Sequence, residues 1–364
     1  MYHMDGILQI GIFIMIFILI LVLWWIRTKL SLDEKNCTIM NSQWSDFPLV
    51  RTMNTYNAEY QYALRDYYIK TAYNCCAAGQ YKNDFVNICA LKDCIKQGVR
   101  GLDFAIYSVD NKAVVAISTN EDFSIKESYN SIPFETAMAV IRDYAFSGST
   151  CPNPGDPLLL HFRIMTQNVG ICNSMAKSLY NTLESRLLDK KYSYEYSGKS
   201  LPTEPLLDFM GKVIIIADKS NKLFAGSKLD EYVNLASNSV FMRALRFHDI
   251  RYTSDMNELI FFNQKNFSIS LPDLSANNDN FSGQLPMTYG VQMVGMSFQK
   301  FDTNLEYYIK QFDNAGSAFI LKPAALRYIP KTIPKPADPP PEYSYKTRVY
   351  SPLPGAPDSM NLKT

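Results

Sequence analysis

Two neighbouring stretches near the end of the chain, GVQMVGMSFQKFD (residues 290–302) and NAGSAFILKPAALR (residues 314–327), decide the fold. The first contains an apolar run from Gln292 to Phe298, which is typical of a buried strand. Similar runs occur earlier in the chain, at residues 101–106, 113–117, 158–164 and 213–217. Amphipathic stretches such as FETAMAVIRDYAF lie between these runs, with apolar residues near helical spacing. Strands that alternate with helices predict a parallel α/β protein, and a βα barrel is one such architecture.

The composition limits the class of protein. The chain has 364 residues, which is enough for one large domain or two ordinary ones. Its 36 Lys and Arg residues nearly balance 35 Asp and Glu residues, so that the formal net charge is +1. Bulk nucleic-acid binding needs a clustered basic face, and this balance therefore argues against a nucleic-acid partner.

The cysteines do not form a recognisable metal motif. They are Cys37, Cys75, Cys76, Cys89, Cys94, Cys151 and Cys172. Their number is odd, their spacing is irregular and no CxxC pair has a matching partner, so a zinc site is not expected. In a chain of this length the pattern favours reduced, buried thiols in a cytosol-like compartment. An extracellular fold with disulfides is the alternative.

An apolar segment at the start of the chain predicts a transmembrane helix over residues 7–26. Gln9 interrupts an otherwise apolar run. At ~1.5 Å per residue a helix of this length spans about 30 Å, the thickness of a hydrocarbon core. Trp24 and Trp25 lie at one end, where an aromatic belt belongs. A cleaved signal peptide is the alternative, but the apolar run is too long and no small-residue cleavage site follows it.

The charges that flank this segment predict its orientation. Asp5 precedes it without any Lys or Arg, whereas Arg27, Lys29 and Lys35 follow it. The positive-inside rule then predicts a single-pass membrane protein with the bulk of the chain on the cytoplasmic side, or inside a virion or an organelle-facing compartment. Residues 27–57 are mixed and polar at first, and we expect a juxtamembrane linker there.

The composition changes again after Arg327. Residues 329–364 are rich in proline and poor in aliphatic residues, which predicts a disordered or polyproline tail. Pro340, Pro341 and Tyr343 belong to a PPxY motif, the ligand of WW-domain proteins. Short proline motifs also arise by chance in such tails, so a solvated spacer is the alternative.

Residues 58–328 resemble the catalytic barrel of the eukaryotic-type phosphoinositide-specific phospholipase C family, with its X and Y halves. In that family the end of the barrel runs GCQMVALNFQT and then NGxCGYVLKPxxLR. The matching positions are Gly290, Gln292, Met293, Val294, Phe298, Gln299, Gly316, Leu321, Lys322, Pro323 and Arg327. Upstream, IPFETAMAVIRDYAF and GKVIIIADK are similar to a helix and a strand of the family. The resemblance implies a distorted (β/α)8 TIM barrel of the PLC-like phosphodiesterase type, with halves at about 58–190 and 205–328.

The same resemblance implies a site at the carboxyl ends of the strands. Family members cleave the phosphodiester of an inositol lipid, using two histidines and a calcium ion. The first histidine falls on Tyr73 and the second on Ile117, with Ser118 next to it. The family's phosphate-binding arginine falls on Ile269, and a tyrosine near it falls on Leu271. Each positioned acid or base typically contributes ~10²–10⁴ in rate, so losing both predicts a pseudoenzyme.

The calcium ligands of the family are only partly matched. The family's asparagine falls on Asn74 and its first acid on Asp103, but its second acid falls on Ala105 and its third on Arg163. Asn74 and Asp103 are therefore weak metal candidates, and no cofactor is expected, with Ca²⁺ as the alternative that the family implies. We expect Arg163 to pair with Asp103, either in the place of the metal or as a salt bridge filling a dead pocket. Bacterial relatives use an arginine instead of calcium, from a different strand position.

His161 is the remaining candidate for proton transfer, although a satisfied core histidine is the more ordinary expectation. It lies two residues before Arg163, so both side chains should point to the same side of a strand. We expect His248 in a strand of the second half.

The sequence therefore predicts a membrane-anchored, catalytically inactive protein that acts as a binding or structural module at a membrane. A phosphoinositide headgroup or another anion is the candidate ligand, bound around Arg163. One alternative is an active phosphoric diester hydrolase with a rearranged site. Another is an adaptor that binds proteins through its tail.

Overall fold

The computed structural model describes residues 2–123, 125–193 and 200–330, and in addition residues 334, 336, 337, 340 and 343. The chain divides into two units, Met1–Tyr328 and Ile329–Thr364. Most of the predicted proline-rich tail, including Pro341 of the PPxY motif, lies outside the described residues.

The first unit alternates strands and helices along most of its length. Its strands are β1 (Tyr67–Ala72), β2 (Gly101–Val109), β3 (Lys112–Val115), β4 (Ile132–Pro133), β5 (Leu158–Ile164), β6 (Val213–Asp218), β7 (Leu235–Ser237), β8 (Met242–Arg246), β9 (Phe267–Leu271), β10 (Met293–Met296) and β11 (Phe319–Leu321). Its α-helices are α1 (Tyr2–Leu30), α2 (Leu32–Gln43), α3 (Ile88–Lys96), α4 (Phe134–Tyr144), α5 (Gly170–Leu183), α6 (Phe247–Arg251), α7 (Met256–Lys265), α8 (Gln284–Thr288) and α9 (Thr303–Ala315).

One sheet of mainly parallel strands curves into a nearly closed barrel. Its path runs β7–β6–β5–β2–β1–β10–β9–β8, and every neighbouring pair on this path is parallel. β3 lies antiparallel to β2 and to β4, and β11 lies antiparallel to β1. The predicted distorted (β/α)8 barrel is thus confirmed. We call the face formed by the carboxyl ends of the parallel strands the mouth, and the opposite face the base.

The alternation of side chains along β5 explains how the barrel is filled. All seven residues of this strand are buried, as in strands covered on both faces. Phe162 points outward and packs edge-on against Phe134 at the start of α4, with ring centroids 5.3 Å apart. Because neighbouring side chains of a strand point to opposite faces, His161 and Arg163 point toward the barrel axis.

The base is held by polar side chains that bind backbone groups. The Nε2 of Gln292 donates to the carbonyl oxygens of Arg65, Asn263 and Asn266 at 2.9–3.0 Å, and its Oε1 accepts from the backbone N–H of Ser268 at 2.9 Å. The Nζ of Lys322 donates to the carbonyl oxygens of Asn263 and Gly290 at 3.0 and 3.1 Å. Gln292 and Lys322 lie in the two stretches, residues 290–302 and 314–327, whose sequence indicates the fold. Their bonds join the starts of strands that are distant in the chain.

The segment expected to be a juxtamembrane linker is instead folded against the barrel. Residues 32–43 form α2, and Met40 and Trp44 are buried. The indole Nε1 of Trp44 donates to the carbonyl oxygen of Phe298 at 3.2 Å. Polar composition alone suggested a linker, whereas the two apolar side chains at the end of the helix dock it onto the barrel.

The cysteines differ from the sequence expectation at one pair. Cys37 of α2 and Cys89 of α3 form a disulfide, with Cα atoms 5.8 Å apart. The expectation of reduced thiols was therefore wrong for these two residues, because a separation of 52 residues gives no hint of proximity. The other five, Cys75, Cys76, Cys94, Cys151 and Cys172, are free and buried.

Helix α1 contains the predicted membrane span. By length and composition it is apolar enough to cross a bilayer. The apolar side chains along it, such as Phe13, Phe17 and Trp24, are between 61% and 73% exposed. Transfer of these apolar side chains from water into lipid is favourable, so a bilayer would stabilise the helix.

Candidate active site at the barrel mouth

Strand register brings three of the sequence-predicted side chains together at the mouth. In the parallel pair β2–β5, Asp103 lies opposite His161 and Ala105 lies opposite Arg163. Asp103, His161 and Arg163 share the inward face of these strands and are at most 6% exposed. The sequence prediction that His161 and Arg163 point to the same side agrees with this arrangement.

Asp103 is the centre of this cluster. Its carboxylate accepts from the Nε of Arg163 at 3.0 Å, from the Nη2 of Arg163 at 2.8 Å and from the Nδ1 of His161 at 2.7 Å. Burial alone raises the pKa of a carboxyl, but the Arg163 charge and the His161 hydrogen bond hold the pKa of Asp103 well below its ordinary value. The carboxylate is thus ionised, and both of its oxygens accept hydrogen bonds from other groups of the protein.

Asn74 completes the cluster from the end of β1. Its backbone N–H donates to Oδ2 of Asp103 at 3.1 Å, and its side-chain Oδ1 accepts from the Nη2 of Arg163 at 2.6 Å. Its φ of 44° lies in the left-handed region, which asparagine adopts more readily than most residues. The position therefore suits asparagine for the turn and for the contact with Arg163.

His161 is enclosed rather than presented to the mouth. Its ring is completely buried, with Nδ1 against Asp103 and Nε2 at 2.9 Å from the hydroxyl of Ser237 on β7. Both ring nitrogens are therefore occupied by protein partners. His248 lies elsewhere, in α6 and not in the expected strand, because Asp249 caps this helix through the backbone N–H of Arg246.

The residues in the positions of the family histidines are Tyr73 and Ile117. The Tyr73 ring lies under the guanidinium of Arg163, with 4.8 Å from Cζ to the ring centroid, and packs edge-on against Tyr81. Its hydroxyl lies 3.5 Å from the Nη1 of Arg246. Ile117 is 1% exposed, and its backbone N–H donates to the hydroxyl of Ser128 at 3.4 Å. Neither residue places an imidazole at the mouth.

The other positions carried over from the family are apolar and buried. Ala105, Ile269 and Leu271 are 2%, 0% and 3% exposed. Their side chains offer no oxygen ligand for a metal and no donor for a phosphate. The family's second acid and its phosphate-binding arginine thus have no equivalent at these places.

Arg246 is a mouth residue that the sequence did not reveal. It ends β8, forms an ion pair with Glu121 and donates from Nη1 to the carbonyl oxygen of Pro272 at 2.8 Å. Burial lowers the pKa of this guanidinium, but contacts with Tyr73 and Glu121 raise it above its ordinary value overall. Nothing in MRALRF distinguishes this arginine from Arg243, and only the curvature of the barrel brings it beside Tyr73.

A cavity of about 210 Å³ opens at this place. Its charged and apolar lining includes Glu121, Arg163, Asp218, Arg246, Asp249 and Leu271. Three carboxylates therefore face two guanidiniums, and Arg163 is already neutralised by Asp103 behind it. Such a lining carries no surplus positive charge for a polyanion.

The residues present do not fit a calcium ion. Calcium takes six to eight oxygen ligands at about 2.3–2.6 Å, several of them carboxylate. Here the oxygens of Asn74 and Asp103 already accept hydrogen bonds from Arg163, whose charge repels a cation. In the part of the chain that the structure describes, no three His, Cys, Asp or Glu side chains are grouped to hold a metal.

The barrel and the position of its polar cluster define a PLC-like phosphodiesterase fold. Residues 60–219 match the family described as Phosphatidylinositol-specific phospholipase C, X domain. The match supports the resemblance to the phosphoinositide-specific phospholipase C family that the sequence indicated. No curated protein is similar enough to the chain to count as a match.

Solved structures show the same fold at low sequence identity. The crystal structure of PLC21 from L. pealei has a TM-score of 0.62 at 16% identity, over 77% of this chain and 39% of that chain. PLC21 from S. officinalis has a TM-score of 0.61 at 15% identity, over 83% of this chain and 41% of that chain. The chain thus spans about two fifths of the length of these relatives, and the likeness concerns the fold alone.

Proposed function

We propose that this protein is a membrane-anchored phospholipase C-like barrel that does not catalyse and acts as a binding or structural module. The observation that carries the proposal is the bond network around Asp103. A guanidinium from Arg163 lies among the oxygens of Asp103 and Asn74, where the family resemblance would place a metal. The network satisfies these groups internally and leaves no ligand set for calcium.

The missing proton carriers support the same proposal. Tyr73 and Ile117 replace the two histidines that the family uses, and His161 is enclosed between Asp103 and Ser237. General acid and base catalysis requires a group within hydrogen-bond reach of the substrate, directly or through one water. The completely buried ring of His161 does not offer such a group.

The anchor in the proposal is α1. It is long and apolar enough to cross a bilayer, and α2 continues from it onto the barrel surface. A module of this kind would hold its barrel at the membrane surface, where the mouth could bind a phosphoinositide headgroup or another anion through Arg246. The two guanidiniums at the cavity favour an anionic group, and the three carboxylates oppose a highly charged one.

Two features favour opposite sides of the membrane for the barrel. The flanking charges Arg27, Lys29 and Lys35 favour the cytoplasmic side. The disulfide between Cys37 and Cys89 is typical of an oxidising compartment. We give the disulfide more weight, because only a few charges decide the orientation rule here. The barrel is accordingly proposed to lie on an oxidising side, with the cytoplasmic side as the alternative.

An assay of phosphatidylinositol cleavage tests the proposal. The full-length protein in phosphatidylinositol vesicles should release no inositol phosphate above background, either with calcium or with a chelator. An active family enzyme on the same vesicles serves as the positive control. Calcium-dependent release that is lost in a folded Asp103→Asn variant would overturn the proposal.

An active phosphoric diester hydrolase that needs no metal is the second candidate. Arg163 and Arg246 at the cavity favour it, because guanidiniums can stabilise charge on a phosphate. Release that persists with chelator and is lost in Arg246→Gln would support this candidate. The same result would exclude the inert module.

Protein binding through the tail is a further element of the proposal. Tyr343 of the PPxY motif is 74% exposed, and its backbone N–H donates to the carbonyl oxygen of Pro340 at 2.8 Å. A WW domain should therefore bind the full-length protein and lose binding to Tyr343→Ala, while the barrel keeps its thermal midpoint. Equal binding by both proteins would leave the tail as a spacer.

A further inference from the structure

A buried tyrosine lies between α2 and the mouth. Tyr81 belongs to the connection between β1 and α3 and is 3% exposed. Its hydroxyl forms a hydrogen bond with the hydroxyl of Ser297, which directly follows β10 at the mouth. Its ring packs edge-on against Tyr73, with ring centroids 5.6 Å apart, and Tyr73 lies under the guanidinium of Arg163. A shift of Tyr81 would therefore reach the ring against which Arg163 packs.

The first half of α2 binds the loop that carries Tyr81, at residues 79–87. The Nδ2 of Asn36 donates to Oδ1 of Asp84 at 2.9 Å. Oδ2 of the same carboxylate accepts from the backbone N–H of Gln80 at 2.9 Å, one residue before Tyr81. Asp84 is 6% exposed. This carboxylate thus links α2 to the backbone beside Tyr81.

The other end of α2 contacts the segment that supplies the hydrogen-bond partner of Tyr81. Trp44 directly follows α2 and is 4% exposed, and its indole Nε1 donates to the carbonyl oxygen of Phe298 at 3.2 Å. The indole also packs against the rings of Phe298 and Phe301, with centroids 5.9 and 5.5 Å apart. Phe298 directly follows Ser297. Both ends of α2 therefore contact segments that position Tyr81.

One covalent bond reinforces the contact of α2 with this loop. Cys37, next to Asn36, forms a disulfide with Cys89 in the first turn of α3. Nearby, the Nδ2 of Asn87 donates to Oδ1 of Asp33 at 2.8 Å. Both disulfide cysteines are half-buried, whereas the five free cysteines are buried. A dithiol can therefore reach this disulfide, and its reduction would leave the hydrogen bonds of Asp33 and Asn36 without the covalent link.

We propose that α2 positions the mouth through Tyr81, and that the Cys37–Cys89 disulfide makes this positioning sensitive to the redox state of the surroundings. With the disulfide formed, α2 and the loop at residues 79–87 are fixed together, and Tyr81 supports Tyr73 against Arg163. With the disulfide reduced, the loop opens more often and the ring of Tyr73 loses this support. The inference goes beyond the proposed function, since it requires neither a membrane anchor nor a particular ligand.

The switching step is a thiol–disulfide exchange. A dithiol reductant, either a reduced dithiol protein or a small dithiol, supplies two electrons and two protons to the S–S bond. Cys37 and Cys89 become thiols, and the reductant closes into its own disulfide. Reductants of this kind belong to reducing compartments, so the mouth would differ between an oxidising and a reducing side of a membrane.

Hydrogen–deuterium exchange of the full-length protein in phosphatidylcholine nanodiscs, read by peptide mass spectrometry, tests the coupling. The reporters are three backbone N–H groups at the mouth: that of Tyr73 donates to the carbonyl oxygen of Met296 at 2.9 Å, and those of Asn74 and Cys75 donate to Asp103 at 3.1 Å. Dithiothreitol should speed their exchange severalfold and leave the amides of β6 unchanged. Unchanged exchange at the three reporters, or equal acceleration in β6, would overturn the proposal.

A variant without the disulfide identifies the bond that the reductant breaks. Cys37→Ser/Cys89→Ser should show the faster exchange at the three reporters without any reductant, and dithiothreitol should change it no further. A double variant that exchanges like the oxidised protein would contradict the proposed role of the disulfide. A response of the double variant to dithiothreitol would show that the reductant acts elsewhere, which would also overturn that role.

A substitution at Tyr81 tests the path from α2 to the mouth. Tyr81→Phe removes the hydroxyl that binds Ser297 but keeps the ring, so the three reporters should exchange severalfold faster with the disulfide intact. Reduction should then add little, because both changes act through the same side chain. Fully additive effects, or no effect of Tyr81→Phe, would show that α2 does not act through Tyr81 and would overturn the proposal.

Tyr67→Phe is the matched control for this substitution. It also removes a hydroxyl from a buried tyrosine, one that donates to the carbonyl oxygen of Glu59 at 2.8 Å at the start of β1. This hydroxyl lies off the path through Tyr81, so the response of the three reporters to dithiothreitol should equal that of the unmodified protein. A response lost in Tyr67→Phe as in Tyr81→Phe would contradict a specific path through Tyr81.

Discussion

The base and the mouth of this barrel use buried polar side chains in opposite ways. At the base, Gln292 and Lys322 bind backbone carbonyl oxygens at the ends of strands and helices. At the mouth, His161 and Arg163 both bind the side chain of Asp103. The base residues match the family pattern, whereas four of the six compared calcium and histidine positions of the first half, Tyr73, Ala105, Ile117 and Arg163, do not carry the family's residue type. The bonds to the backbone at the base can therefore keep the fold while side chains at the mouth differ from those of the family.

The largest expected effect comes from removing the cation at the mouth. Arg163→Met leaves the buried carboxylate of Asp103 with His161 and the Asn74 N–H but without its charge partner. Breaking a buried pair in this way typically costs roughly 3–5 kcal/mol of unfolding free energy. Urea denaturation measures it. Arg142→Met, at an exposed pair with Asp143, is the control and should have little effect. Equal midpoints for both variants would mean that the mouth network does not stabilise the fold.

The next effect concerns the base. Gln292→Leu removes three donated bonds and one accepted bond, so buried groups of Arg65, Asn263, Asn266 and Ser268 lose their partner. The expected loss is roughly 1–3 kcal/mol in the same denaturation experiment. Gln284→Leu, on the first residue of α8, is a matched control. An unfolding free energy of Gln292→Leu equal to that of Gln284→Leu would show that the bonds of Gln292 do not stabilise the base.

A smaller effect should appear in the pH dependence of the unfolding free energy, through Lys322 at the base. Burial lowers the pKa of Lys322 to about 7, whereas an unfolded lysine titrates near ~10.4. Between these values the unfolded chain binds a proton that the folded chain lacks, so stability rises with pH. From about pH 7 to about pH 8 the unfolding free energy should rise by about 1 kcal/mol relative to Lys322→Met.

The comparison with Lys322→Met removes the contribution of other groups in this range, such as the buried thiols. Urea denaturation of both proteins at the two pH values gives the difference. A constant difference between the proteins across this range would show that Lys322 stays charged in the folded protein. Lys70, whose pKa burial lowers to about 8, should contribute in the same direction at higher pH.

The smallest expected effect is on activity. Tyr73→His, alone or with Ile117→His, should not restore cleavage of phosphatidylinositol, because Arg163 still occupies the oxygens of Asp103 and Asn74. Release of inositol phosphate with calcium measures this. Calcium-dependent turnover in the double variant would show that the histidines alone were missing and that the mouth can still accept the ion. The thermal midpoint of each variant is the control for folding.

Much of the fold was predictable because its signals are local. Apolar runs and amphipathic stretches predicted a parallel α/β protein, and the family resemblance implied a barrel. The apolar segment at residues 7–26 predicted a helix long enough to cross a bilayer, which lies inside α1. The two-residue spacing of His161 and Arg163 predicted their common face, since side chains alternate along a strand. Pairing of Arg163 with Asp103 was also expected, and the structure shows it.

The tertiary structure alone decided the features that depend on distant residues. The docking of α2, the disulfide of Cys37 with Cys89, the enclosure of His161 by Ser237 and the arrival of Arg246 beside Tyr73 leave no periodic or compositional trace. Sequence patterns report which faces of each element are apolar. Which polar groups meet at the end of a barrel depends on strand order, register and curvature, which arise only when all the elements pack together.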